Sequence, residues 1–406
     1  MWTAVSVFAL TYLLMSGGRL RHVSLERPAA ALVGAVLMVV TGVLPIEEAY
    51  RSVDWNTIVL LLGMMILTAH LKEAGFFSLV AEAALARVRT PQGLLAAVVL
   101  LSGVLSALFV NDTVCLFLTP IVLEIAARAG LPAVPFLIAL ATSANVGGVA
   151  TPTGNPQNMI VATASGIAYA RFCARLLPVA ALGLAANYGI LRFLYRQELS
   201  RPFAVAPAPK REPADRRLLV VSLLVVAGTL AAYLAGGHLA LVSISGAVAL
   251  FFLSRVPPRR SLEDVDWGLL LFFASLFVVV AGLARTGAID RLFGAVRPLL
   301  GNGEGRRLAV FSTFTVCGSQ VLSNVPFVLV ARHWIPSFPD ADRMWLALAM
   351  ASTLAGNLTL LGSVANVIVA ELSRGRVRLG FREFLRVGVP TTVVTTAIGV
   401  AVLALA

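Results

Sequence analysis

The chain has 406 residues, 59% of them hydrophobic and only 13% charged, with a mean hydropathy of +0.89. Soluble domains run at about 45–50% apolar and about 25% charged, which excludes a solvated cytosolic enzyme and indicates an integral membrane protein. The formal net charge of +12, from 32 Lys+Arg against 20 Asp+Glu, sits in short loops between apolar runs, so it reports membrane topology and not nucleic-acid binding.

In chain order, apolar runs between charged breaks predict spans near 1–17, 28–44, 56–71, 132–163, 176–194, 218–235, 239–253, 268–283, 344–371 and 388–406. The first run precedes its basic residues, Arg19 and Arg21; a signal peptide carries them ahead of the run, so this one reads as a span. Two further runs, 94–127 and 308–335, each hold two short helices interrupted by polar residues, Asn111-Asp112-Thr113 and Ser323-Asn324. They read as re-entrant hairpins. With the N-terminus outside, the loops 18–27, 72–92, 128–131, 195–217, 254–267 and 373–387, with Arg192, face the cytoplasm and hold 22 of the 32 basic residues. That bias predicts both termini outside. The exception is segment 284–307, whose five arginines fit an amphipathic interfacial helix.

A shift of 212 residues superposes Gly34-Ala35-Val36 on Gly246-Ala247-Val248, Val53-Asp54-Trp55 on Val265-Asp266-Trp267, Gly75 on Gly287, Asn145 on Asn357, Phe172 on Phe384 and Pro178 on Pro390. With a four-residue gap, Gly154-Asn155-Pro156-Gln157-Asn158 also matches Gly362-Ser363-Val364-Ala365-Asn366. The expected organisation is a first repeat over 1–195, a cytoplasmic linker over 196–217 with four prolines, and a second repeat over 218–406. Five spans plus a hairpin per repeat is an odd number of crossings, which inverts the second copy. The expected fold is therefore an all-α polytopic membrane protein of about ten transmembrane helices plus two re-entrant hairpins, in two inverted-topology repeats with broken helices, as in secondary transporters.

Four segments place polar groups at mid-membrane depth: Asn111-Asp112-Thr113, Thr142–Asn158, Ser323-Asn324 and Gly356–Asn366. Irregular backbone there must line a protein-enclosed or watery cavity, because hydrocarbon satisfies no N–H or C=O. Gly and Pro concentrate in the second segment, so its helix unwinds and presents Asn145, Thr151, Thr153 and Asn155. Interhelical hydrogen bonding alone explains any one such residue. A set repeated at two hairpin tips and two helix breaks points instead to a site, with Asn111, Thr113, Asn145, Thr151, Thr153, Asn155, Ser323, Asn324, Asn357 and Ser363 as candidate substrate ligands. Asp112 is the one acidic residue among them and the candidate coupling group, for a proton or Na+; its structural alternative is capping a half-helix.

Other candidates are weaker. Glu124 and Glu371 lie toward segment ends, and Asp54-Trp55 and Asp266-Trp267 open spans as caps with interfacial aromatics. His22, His70, His238 and His333 form no ligand pair, and Cys115, Cys173 and Cys317 show no metal spacing, although Cys115 and Cys317 lie close enough to the hairpin tips to face a cavity. The chain has no GxxxxGK[ST] nucleotide loop, so no enzymatic ATP hydrolysis is expected of it.

Phe109-Val110-Asn111-Asp112-Thr113, Leu118-Thr119-Pro120-Ile121-Val122, Ala144-Asn145-Val146-Gly147-Gly148, Gly154-Asn155-Pro156-Gln157-Asn158, Ser323-Asn324-Val325-Pro326, Gly356-Asn357 and Gly362-Ser363 together resemble the ion transporter superfamily over nearly the whole chain. Dicarboxylate symporters of that superfamily carry Ser-Asn-Thr at both tips, which neither tip here matches. The Asn-Asp tip followed by Leu-Thr-Pro-Ile-Val is closer to the bacterial arsenite/antimonite efflux permeases. The resemblance implies proton-coupled efflux of arsenite or antimonite across a bacterial inner membrane, with no cofactor beyond the coupling ion and, in some systems, a separate cytosolic ATPase subunit as partner. A Na+-coupled carrier of small anions such as dicarboxylate or sulfate, a Na+/H+ antiporter and a passive channel remain as alternatives.

Overall fold

A computed structural model of the protein describes residues 1–15, 26–85, 88–203, 215–301 and 303–405. Residues 18–25 of the first basic loop and 204–214 of the linker lie outside the described residues. The described chain forms helices and no strand. The first half comprises α1 (Trp2–Met15), α2 (Arg27–Val40), α3 (Ile46–Ser52), α4 (Trp55–Glu73), α5 (Phe76–Leu85), α6 (Pro91–Leu108), α7 (Asn111–Arg128), α8 (Val134–Gly148), α9 (Pro156–Ser165) and α10 (Tyr169–Leu194). The second comprises α11 (Arg216–Leu234), α12 (Leu239–Leu253), α13 (Pro258–Glu263), α14 (Trp267–Arg285), α15 (Ala288–Leu300), α16 (Glu304–Leu322), α17 (Asn324–Ala331), α18 (Ala341–Ala355), α19 (Val364–Ser373) and α20 (Phe381–Leu405). Each helix of the first half has its counterpart ten places later. The architecture is that of an all-α polytopic membrane protein.

Local chemistry sets the boundaries. The Asp54 carboxylate accepts from the Asn56 and Thr57 amides at 3.1 and 3.4 Å and opens α4; Asp266 does the same for α14 through the Leu269 amide at 2.9 Å. Both acidic residues are the caps their span-opening positions suggested, and each satisfies N–H groups that a helix start leaves unpaired. Thr90 caps α6 through the Gly93 amide at 3.0 Å, with Pro91 at the first helical position. Among the described residues, α4, α6, α10, α11, α14 and α20 are long and apolar enough to cross a membrane by length and composition, and α1, α2, α8, α12 and α19 are shorter apolar helices. The arginine-bearing segment 284–307 contains α15, which buries Ile289, Val296 and Leu300 along one side.

The hairpins differ from the expected pair of short helices. Both arms of the first have 18 residues, about 27 Å at 1.5 Å per residue, whereas the return arm of the second, α17, has 8. The buried positions of α6, Leu95, Val98, Val99, Ser102, Gly103 and Ser106, recur on α16 as Leu308, Phe311, Ser312, Thr315, Val316 and Ser319. This offset of 213 pairs Asn111 with Asn324 and leaves Asp112 opposite Val325. The tip carboxylate thus has an apolar counterpart, and the two hairpins are not electrically equivalent.

Packing between the halves is reciprocal. Helix α2 lies against α14 and α4 against α12; α7 packs on α19 and α17 on α9; α8 touches α19 and α18 touches α9; α10 lies directly against α20. Exchange of counterparts across a shared interface is what a twofold-related pair of repeats produces, and it brings the two helix breaks and the first tip together.

Candidate transport site

The two broken helices build the interior. Helix α8 ends at Gly148, the chain turns through Thr151-Pro152-Thr153-Gly154, and α9 restarts at Pro156 with Asn155 as its cap, its side-chain oxygen accepting from the Asn158 amide at 2.9 Å. A Cβ on Gly154 would lie 2.3 Å from the Gly148 carbonyl oxygen, so the turn closes only with glycine there. In the second half α18 ends at Ala355, and α19 restarts at Val364, capped by Ser363, whose hydroxyl accepts from the Ala365 amide at 3.2 Å.

The breaks are stitched by side-chain amides. Asn158 donates to the carbonyls of Gly148 and Thr151, both at 3.0 Å, and Asn366 donates to those of Gly356 and Thr359 at 2.7 and 3.1 Å. Across the repeats, Asn155 donates to the Thr353 hydroxyl at 3.1 Å, and the Thr353 hydroxyl donates to Asn158 at 3.1 Å. The mirror contacts are Ser363 to Asn145 at 3.1 Å and Asn145 to Asn366 at 3.1 Å. These pairs fix a register of 208 through the breaks, so the structural mate of Asn145 is Thr353. Asn357, which the 212-residue shift aligned with Asn145, is instead its direct partner: Asn145 donates to the Asn357 side-chain oxygen at 2.9 Å. The four-residue gap therefore precedes α8 and α18.

Asn145 is saturated in this arrangement. Its oxygen accepts from Asn111 at 2.9 Å and from Ser363, and its two N–H groups go to Asn357 and Asn366. Asn357 donates onward to the Thr142 carbonyl at 3.2 Å. Thr151 donates to the Ala107 carbonyl at 2.5 Å, and Thr153 shares a hydrogen bond with the Tyr169 hydroxyl at 3.2 Å. Asn111, Asn145, Asn357 and Ser363 are therefore brought into one buried cross-repeat network with Asn366, Asn155 belongs to a second cluster with Thr353 and Asn158, and Thr151 and Thr153 lie at the edge. Ser323 and Asn324 stand apart: Ser323 is exposed, with φ +69 and ψ 160, and the Asn324 side-chain oxygen is buried without a protein partner.

Asp112 and Thr113 face a cavity of about 170 Å³, which is also lined by Thr68, Lys72, Asp264 and Asp266. Helix α19 of the other half packs on α7, and Val364 in its first turn lines the same cavity as Asp112. Lys72 is held 2.7 Å from Asp264 and sits over the Phe117 ring at 5.6 Å. Exposure is one-sided: residues 135–162 are buried throughout, whereas Leu361 and Val364 in the second break are 65% and 41% exposed. Sequence reading missed Thr353, Lys72 and Asp264, and took Asp266 for a cap only. Both hairpin tips and the internal repeat were visible, but the 212-residue shift sets Asn111 against Ser323, and the pairing of Asn111 with Asn324 and the loop residues that reach the Asp112 cavity depend on packing. Of the thiols, Cys115 is buried and Cys317 is exposed, on the side of α16 away from its buried face. No group of three His, Cys, Asp or Glu side chains clusters as metal ligands would among the described residues.

Broken helices paired across two repeats, with a carboxylate at one hairpin tip, are the build of a multi-pass membrane transporter. The chain belongs to the citrate transporter family (CitMHS), whose pattern matches residues 10–340. It is 34% identical to the silicon efflux transporter LSI3 of Oryza sativa subsp. japonica, over 92% of this chain and 91% of that one. A 46 kDa membrane protein of Mycobacterium leprae is 31% identical, with 97% and 96% covered, and the putative transporter arsB of Dictyostelium discoideum is 27% identical, with 95% and 88% covered. Among solved structures, the YdaH transporter of Alcanivorax borkumensis shares the fold, with a TM-score of 0.62 at 15% identity and coverage of 100% and 96%.

Proposed function

We propose that this transporter exports a small neutral hydroxide of a metalloid, arsenite or antimonite as the trihydroxide, coupled to proton entry at Asp112. The carrying observation is the chemistry of the interior. Along the two breaks the donors and acceptors are neutral amides, hydroxyls and backbone groups, suited to a solute that both donates and accepts hydrogen bonds, and in the tip cavity three acids, Asp112, Asp264 and Asp266, outnumber Lys72 and would repel a dianion. The names of two relatives, a silicon efflux transporter and a putative arsB, support the same class, since silicic and arsenous acids are both uncharged and hydroxyl-bearing in neutral water. In this reading the two repeats have inverted topology, both termini lie outside a bacterial inner membrane, and the cavity at Asp112 opens toward the cytoplasm, the side on which Lys72 and the 254–267 loop fall by the positive-inside rule.

A Na+-coupled carrier of small anions is the second reading. The family's description and the presence of Lys72 in the Asp112 cavity favour it. Resistance and transport assays in a strain lacking its own exporter, with arsenite, antimonite, silicic acid, citrate, succinate and sulfate side by side, separate the two. Export of the neutral hydroxides, dependent on a pH gradient and indifferent to sodium, is the expected result; sodium-dependent movement of an anion alone would overturn it.

A further inference from the structure

The second hairpin carries buried oxygen atoms that no protein group satisfies. On α16, Ser312, Thr315 and Ser319 are 0%, 0% and 1% exposed, and their three hydroxyls have no hydrogen-bond partner within the protein. The Asn324 side-chain oxygen, at the start of α17 and 6% exposed, is in the same condition. Spacings of three and four residues place the three hydroxyls on one side of the helix, over about 10 Å at 1.5 Å per residue. Helix α16 packs against α18, and also against α20 and α17.

A buried hydroxyl in an α-helix ordinarily satisfies itself by donating to the carbonyl one turn back, as Ser102 on α6 does to Val98 at 2.7 Å and Thr119 on α7 does to Cys115 at 2.6 Å. The row on α16 forgoes this. Its matched positions in the first hairpin are Val99, Ser102 and Ser106: the first is apolar, the second self-satisfied, and the third buried with its hydroxyl likewise unpaired. The second hairpin thus carries a row of three such hydroxyls where the first carries one. Leaving one polar group buried and unpaired is costly, and a run of them at one interface is accounted for by ordered water, which makes about three hydrogen bonds and is held where polar groups converge.

We propose that the α16–α18 interface holds a file of ordered water, running from the Glu304 end of α16 along Ser312, Thr315 and Ser319 and reaching the tip at Asn324. Its ligand is water, and the proposal does not depend on which solute is carried. The file hydrates the second tip, where the chain is held at an unusual backbone conformation, and supplies hydrogen-bond partners that the first tip takes from Asn145. Such hydration lets one tip exchange solute-facing polar contacts for water while the other stays locked in the amide network.

The test uses the full-length protein in lipid nanodiscs without substrate. Single cysteines at Ser312, Thr315 and Ser319, in a background lacking Cys115, Cys173 and Cys317, are reacted with a small water-soluble methanethiosulfonate, beside cysteines at Val99 and Ala347 as packed controls. Reaction at the three α16 positions at least tenfold faster than at the controls is expected; rates equal to the controls overturn the proposal. Should the cysteine variants fail to fold, radiolytic hydroxyl-radical footprinting of the unaltered chain decides. Oxidation of Phe311 and Val316, both buried beside the row, is expected on brief exposure, and their complete protection would overturn it.

Discussion

Asp112 and Asn145 sit within one hairpin-to-helix contact yet have opposite environments, and their substitutions should separate coupling from assembly. Asp112 lines the cavity together with Val364 in the first turn of α19. Asp112→Asn keeps shape and removes the charge change, so gradient-driven export should be lost while downhill exchange of solute persists in proteoliposomes; unchanged uphill export would remove Asp112 from the coupling step. Asn145 spends every hydrogen bond it can make on Asn111, Ser363, Asn357 and Asn366. Asn145→Ala strands at least two buried groups at about 1–3 kcal/mol each. A clear fall in Tm is therefore expected, in contrast to Thr113→Ala at the cavity wall, which should weaken apparent affinity several-fold with Tm unchanged.

Helix packing makes its own demands. Helix α6 approaches α8 so closely that a Cβ on Gly147 would lie 2.1 Å from the Gly103 carbonyl oxygen, and that oxygen belongs to backbone that cannot swing aside. Gly147→Ala should push the first hairpin off α8, lowering Tm and transport together; a variant with normal activity would show that the contact is loose. At the other hairpin the strain is conformational. Ser323, with φ +69 and ψ 160, occupies a region open mainly to glycine. Ser323→Gly should raise stability by about 1 kcal/mol in thermal unfolding, and a loss of stability would mean that the Ser323 side chain contributes more than the strain it bears.

At the scale of the whole molecule, the reciprocal packing of α2 on α14, α4 on α12 and α10 on α20 ties the two repeats into one body around the shared network. Ion pairs also join the halves, among them Lys72 with Asp264 and Arg260 with Glu73, both at 2.7 Å. These are largely exposed and contribute about 0–1 kcal/mol each, so the buried amides and apolar faces hold the halves together. The proposed inversion of the repeats would place the open ends of the hairpins on opposite sides of the membrane. Arg128→Cys and His333→Cys, each alone in a cysteine-free background, should label with an impermeant thiol reagent from opposite faces of sealed vesicles; labelling from one face would rule out the inversion.

Hydrophobicity and repetition are local or periodic properties, and they determined what a chain of letters can carry: a helical membrane protein, two repeats, two interrupted hairpins and two broken helices around Asn111, Asn145, Asn155, Asn324, Asn357 and Ser363. Gly and Pro marked the breaks because those residues act on their own backbone, and Asp54 and Asp266 read as caps because a cap reaches only its own first turn. Register was beyond it. One shift of 212 suits Gly75 with Gly287, yet the hairpins run at 213 and the breaks at 208, because short insertions are absorbed in connections while buried faces must stay in phase. The partnership of Asn145 with Asn357, the pairing of Asn145 with Thr353 as mates, and the placing of Lys72, Asp264 and Asp266 around Asp112 all join residues far apart in the chain. Only packing the two halves against each other decided them.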